Sequence, residues 1–181
     1  MRQRPLFIFL VAFIVYVLDR VSKHLVSIYL VLNEPWYPLP FLKPIFGLTY
    51  IHNTGAAFGI FQNQNLFFII VAIIVITVIV LYVRTTPRLD ALIAFSLALQ
   101  LGGACGNLTD RLLVGYVTDF LHLKYFAISN VADVCISLGT VLLGYHLVFR
   151  ARSLAEAEHS ASPQPSPPTT TGDEHMKSEA S

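Results

Sequence analysis

Leu66 to Val83, LFFIIVAIIVITVIVLYV, runs for eighteen residues without a charge. That is close to the roughly 20 apolar residues that carry a helix across a bilayer core of about 30 Å. Three further apolar stretches, Pro5 to about His24, Ala91 to about Leu108 and Val131 to Phe149, are long enough to span and become polar at one end. The pattern predicts an all-α membrane protein of four transmembrane helices. Between the first two spans it changes. FGLTYIHNTGAAFGIF (46–61) opens with an alternating run of aromatic and β-branched residues, which reads as a strand. It then reaches Asn53, Gly55 and Gly59, where a turn or a close backbone approach is expected. A small β element is therefore predicted around 36–61.

Basic residues orient the helices. Arg2 and Arg4 precede the first, Arg84 and Arg88 lie between the second and third, and Arg150 and Arg152 follow the fourth, whereas Leu25 to Asn65 holds only Lys43. Cytoplasmic flanks carry the excess of Lys and Arg, so both termini are expected in the cytoplasm and the β element outside it. Arg111 and Lys124, in the other outer loop, are a weak counter-signal. The basic MRQR start and Leu6 to Leu18 imitate a secretory signal, but Asp19 and Arg20 follow where a small-residue cleavage site is needed. The first span is read as an uncleaved anchor.

Composition agrees with a membrane class, at 55% hydrophobic and 13% charged over 181 residues. A net charge of +1 argues for neither a nucleic acid nor an acidic partner. Cys105 and Cys135 fall within predicted spans and read as small packing residues, with no paired histidines to make a zinc site. From Ser153 the chain turns to Pro, Ser, Thr, Glu and Ala, too polar to bury a core. The organisation expected is a membrane domain over 1–152 and a disordered cytoplasmic tail over 153–181.

The polar residues of the membrane domain gather on one side. Asp19 and Lys23 are placed at the outer end of the first span, Asn107, Asp110 and Arg111 at that of the third, and Asn130 and Asp133 at the start of the fourth. Ionisable residues inside a span are costly and are functional candidates by default. Asp19 and Lys23 are spaced i, i+4 and can pair on one helix face, as can Asn107 and Arg111. The same spacing also fits an ion pair with Lys23 snorkelling to the interface and no further role. Asn53 likewise fits a plain turn residue.

Asp119 and Asp133 are the candidates for chemistry. Two carboxylates in a partly dry site cannot both ionise easily, so one keeps a proton while the other can accept one from water. Such a pair suits peptide-bond hydrolysis. Fourteen residues of separation leave open a solvated loop aspartate and a helix-end cap. No Gly-x-Ser-x-Gly, His-Glu-x-x-His or Walker A pattern is present. A transporter or channel needs polar residues through the membrane, and Thr77, Tyr82, Ser96 and Gln100 are sparse. A non-catalytic lipid or lipoprotein binder should mostly keep its task without the two aspartates.

DRVSK (19–23), HNTGAAFG (52–59), GGACGNLTDR (102–111), VTDF (117–120) and NVADV (130–134), in this order around four spans, resemble the lipoprotein signal peptidase family, bacterial signal peptidase II. The resemblance covers about residues 5 to 150. It implies an aspartic intramembrane endopeptidase that removes signal peptides from prolipoproteins, cutting before the diacylglyceryl-modified cysteine. By motif it makes Asp119 and Asp133 the catalytic pair. Asp19, Lys23, Asn53, Asn107, Arg111 and Asn130 match positions that shape the site and hold substrate, and Asp110 a mainly structural one. The outer β segment resembles the family's extracytoplasmic β-cradle. The implied partners are diacylglyceryl-modified prolipoproteins and membrane lipid, with no cofactor, metal or nucleic acid. The implied location is the bacterial inner membrane, with the site near its outer face. Ser129 and Val134 depart from the family's usual aromatic and small residue beside the NVADV motif.

Overall fold

The computed structural model describes residues 4–55, 62–86 and 89–161. Four helices carry the apolar stretches: α1 (Arg4–Tyr29), α2 (Asn65–Thr85), α3 (Ala91–Leu113) and α4 (Val131–Ala161). Each contains a stretch long and apolar enough to cross a membrane. Helix α3 is the axis. Of its apolar window 67% is buried, against 22% for α1 and 11% each for α2 and α4, which leave apolar faces outward. Small residues make this possible, because lipid offers helices no hydrophobic drive to associate and close packing must hold them. Gly102 faces α1, where a Cβ would lie 2.7 Å from that of Val15, and Gly103 faces α4, 2.6 Å from the Ala132 carbonyl oxygen. At the end where α3 begins, an apolar cluster joins α1, α2 and α3 through Ile8, Ala12, Ile79, Val83, Leu97 and Leu101.

Three strands form an antiparallel sheet in the order β1 (Pro35–Trp36), β2 (Phe46–Asn53), β3 (Val117–Leu123), with a 3-10 turn at Pro40–Leu42. Phe46 pairs with Leu123 and Asn53 with Val117, and the register slips by one between Leu48 and Ile51. This bulge sets two residues of β2 against one of β3 and bends the ribbon. Beside it, the Phe120 and Leu121 amides both donate to the Ser129 carbonyl, at 2.8 and 2.7 Å. The segment leading into α4 is thereby tied to β3.

The four predicted helices and the β element are present, with three differences. Helix α1 continues to Tyr29 and α3 to Leu113, past the expected limits near His24 and Leu108. Their polar residues therefore lie within helices rather than at the ends, because those side chains pair with one another and need no exit to water. The residues around Asp119, expected as loop, form strand β3. Helix α4 runs on to Ala161 through SLAEAEHSA, so residues 153–161 of the expected tail are helical, in keeping with the helix propensity of Ala, Leu and Glu. By contact density the chain up to Val148 is one unit, and α4 from Phe149 onward belongs to a second. Gly59 and the remainder of the tail lie outside the described residues.

Candidate active site

The site is built on the ends of α1 and α3, the strand β3 and the start of α4. Lys23 is buried on α1, and its three ammonium protons have three partners: Asp19 Oδ2 at 2.8 Å, Asp110 Oδ2 at 2.9 Å and Asn107 Oδ1 at 2.9 Å. Asp110 also takes Arg20 and the backbone amide of Thr118, the latter at 3.1 Å. Two acids and two bases thus neutralise one another, as buried charges must. Asp19 Oδ1 accepts the Ala132 amide at 3.0 Å, one of the donors left free in the first turn of α4. Gly106 is what lets α1 come so near, since a Cβ there would lie 2.9 Å from the Asp19 carboxyl carbon.

This charged base supports a layer of asparagines. Asn130 precedes α4, and its Oδ1 accepts the Asp133 amide at 2.9 Å, an N-cap bond. Its Nδ2 donates to Asp119 Oδ1 at 2.6 Å and to Asn107 Oδ1 at 3.1 Å. Asn107 Nδ2 in turn donates to Asp133 Oδ1 at 2.8 Å. Asn53, at the end of β2, donates to Asp119 Oδ2 at 2.8 Å, while its Oδ1 accepts the Gly55 amide and closes a turn. The two sequence-predicted aspartates are therefore held in one frame of amides.

Their surroundings differ. Asp119 is 1% exposed, whereas Asp133 lines an open cleft of about 810 Å³ together with Asn53, Asn107 and Arg111. Burial, reinforced by the nearby Asp133 charge, pushes the Asp119 carboxyl up from 3.8 to about 7, against the opposing hydrogen bonds from Asn53 and Asn130. Arg111 stands at the cleft with its guanidinium over the Phe68 ring, 4.8 Å from the centroid, and reaches the Gly55 carbonyl at 3.4 Å. The other walls are mostly apolar, with Phe126, Ile128, Leu138 and Val141 among them. Among the described residues no three His, Cys, Asp or Glu side chains are grouped to hold a metal ion.

The pattern of the family described as signal peptidase (SPase) II matches residues 11–149. The chain belongs to the signal peptidase II family. Among curated relatives, the lipoprotein signal peptidase of Caldanaerobacter subterraneus subsp. tengcongensis is 44% identical over 144 residues, covering 79% of this chain and 96% of its own. That of Moorella thermoacetica is 41% identical over 142 residues, covering 78% and 93%. A solved bacterial membrane enzyme superposes with a TM-score of 0.73 at 25% identity, over 88% of this chain and 94% of that one. A second superposes at 0.70 and 28%, over 78% and 92%. The protein is a membrane peptidase of the signal peptidase II family.

All eight candidate residues from the sequence meet at this site. Seven of them, Asp19, Lys23, Asn53, Asn107, Asp119, Asn130 and Asp133, are joined by direct bonds, and Arg111 stands beside them at the cleft. Asp110, expected to be mainly structural, is a shared acceptor for Lys23, Arg20 and Thr118, and sequence reasoning missed Arg20. Spacing held a clue, since Asp19, Arg20 and Lys23 sit within one turn of α1 and Asp19 alone cannot balance two cations. The Ser129 and Thr118 backbone contacts had no signal in the side-chain sequence.

Proposed function

We propose that this signal peptidase II family member is an aspartic intramembrane endopeptidase that removes signal peptides from prolipoproteins, cutting before a diacylglyceryl-modified cysteine. Asp119 and Asp133 share one proton. Burial makes Asp119 the member that keeps it near neutral pH, and Asp133, on the cleft wall, is the base that takes a proton from water. The protonated carboxyl polarises the scissile carbonyl, and the proton then passes to the leaving nitrogen. Asn53, Asn107 and Asn130 fix the two carboxyls, Asp19 and Lys23 brace that frame from below, and Arg111 holds substrate backbone at the cleft.

One observation carries the reading: a buried and a cleft-facing aspartate joined through Asn130 and Asn107 beside a large apolar groove. A lipidated substrate whose signal peptide is itself a membrane helix suits such a groove. The apolar cluster at the far end of α3 disfavours a proton or cation path. We place both termini in the cytoplasm and the site near the outer face of the bacterial inner membrane, on the Arg flanks of the helices.

The test is cleavage of a lipidated precursor by the full chain in a bilayer. Asp119→Asn and Asp133→Asn are each expected to abolish it, and the double variant to be hardly worse than either, because members of one catalytic unit are strongly non-additive. A correctly inserted Asp133→Asn protein that still releases signal peptide at the wild-type rate overturns the aspartic mechanism.

A further inference from the structure

Lys43 is the only lysine or arginine between Leu25 and Asn65, and Lys124 follows directly on β3. They are far apart in sequence, yet the fold brings both to one small cavity of about 180 Å³. The Lys124 amide donates to the Ile45 carbonyl at 3.0 Å, which closes the end of the β2–β3 ribbon and sets the two side chains around the same opening. Tyr37 walls the cavity against Gly47, where a Cβ would lie 2.8 Å from the ring, so the cavity's shape depends on that glycine. His122 is the third polar wall. Its Nδ1 lies 2.9 Å from the Thr49 hydroxyl, which fixes the ring against the sheet.

No carboxylate lines this cavity, and no ion pair with Lys43 or Lys124 occurs among the described residues. Their ammonium groups lie instead over the rings of Tyr37, at 5.3 Å, and Tyr125, at 5.0 Å. Two lysines around a cavity without an acid are complementary to an oxyanion. Ile45 of the lining is exposed, and so are Trp36, Phe41 and Tyr125, which neighbour the lining residues along the chain. Exposed aromatics beside lysines are the pattern of a surface at headgroup depth, where rings enter the interface and ammonium groups reach the charged layer.

We propose that this end of the sheet is a binding site for the phosphate of an anionic phospholipid, held by Lys43 and Lys124 with the exposed aromatics in the interface. The site shares no residue with the catalytic frame and depends on neither the aspartic mechanism nor the orientation of the helices. Its effect on the enzyme is to seat the end of β3, the strand that carries Asp119, on the lipid surface.

The chain's single tryptophan, Trp36, is the neighbour of Tyr37 and supplies the reporter. The full chain in zwitterionic detergent is titrated with phosphatidylglycerol brominated on its acyl chains near the headgroup, and in parallel with phosphatidylcholine carrying the same chains. Half-quenching of Trp36 is expected at about 25-fold less phosphatidylglycerol, since each of the two lysines near an anionic surface contributes about fivefold. Lys43→Gln/Lys124→Gln should erase that preference, and Lys43→Arg/Lys124→Arg should keep it, which also guards against a misfolded variant. Equal quenching by the two lipids in the wild type, or a preference that survives in the glutamine pair, overturns the proposal. Inorganic phosphate at millimolar concentration should not relieve the quenching. Full relief would make this a free-anion site and overturn the lipid assignment.

Discussion

Asp119 is the residue whose setting departs furthest from that of an ordinary carboxyl. Its carboxyl pKa is raised from 3.8 to about 7, so between those values the folded protein binds more protons than the unfolded chain. Stability at this residue is therefore fully present below about pH 4 and is lost as pH rises toward 7. Asp119→Asn removes the titration. In detergent, the melting temperature of the variant should gain on that of the wild type as pH rises from about 4 to about 7, and an unchanged difference would contradict the raised value. Activity has the complementary signature. On the proposed mechanism the pair works with one proton, so cleavage should fall on the alkaline side as that proton is lost around pH 7. The apparent values belong to the pair and not to either residue. Much at this scale was legible in the sequence, since the i, i+4 pair of Asp19 and Lys23 is present at 2.8 Å. The double duty of Asn130 was not, because capping α4 and holding Asp119 depend on where Ser129 is pinned.

At the scale of elements, the strand β3 shows why part of the fold was hidden. Val117, Thr118, Asp119 and Phe120 are all buried, so the alternation by which a strand is recognised is missing. The run lies between β2 and the Ser129 segment, with contacts to α1 and α3 besides, and a sequence window sees only a short mixed segment with an aspartate. The helices were easier because lipid demands long apolar runs, and their ends were misjudged because buried polar pairing lets a helix carry charge inward. The contact of α3 with α4 offers a test. A Cβ at Gly103 would meet backbone, the Ala132 carbonyl, at 2.6 Å, and backbone cannot rotate aside. Gly103→Ala should push the first turn of α4 away, carrying Asp133 with it. Overpacking of this kind costs about 1–3 kcal/mol, and a displacement of about 1 Å at a reacting group can cost about 100-fold in rate. The expected result is a lower melting temperature and a larger proportional loss of cleavage rate than Gly144→Ala, whose added Cβ meets nothing within 4 Å.

For the whole molecule the open quantity is direction. Arg84 lies in the last turn of α2, Arg88 follows that helix in sequence, and Gln62 precedes its other end. In a background with Cys105 and Cys135 replaced by serine, a cysteine at Thr86 should be shielded from an impermeant thiol reagent in intact cells. One at Gln62 should react when reagent reaches the outer face of the inner membrane. The reverse pattern would turn the molecule over and move the cleft to the cytoplasmic side.

The apolar cluster of Ile8, Ala12, Ile79, Val83, Leu97 and Leu101 bears on the cell's energy supply. A hydrolase that draws water to carboxyls inside a membrane is exposed to the electrochemical gradient across that membrane, and any file of polar groups reaching the other face would short-circuit it. Here the polar frame around Asp119 and Asp133 and the apolar cluster occupy opposite ends of the same helix, α3, so that on the proposed mechanism the end that handles water is kept apart from that gradient.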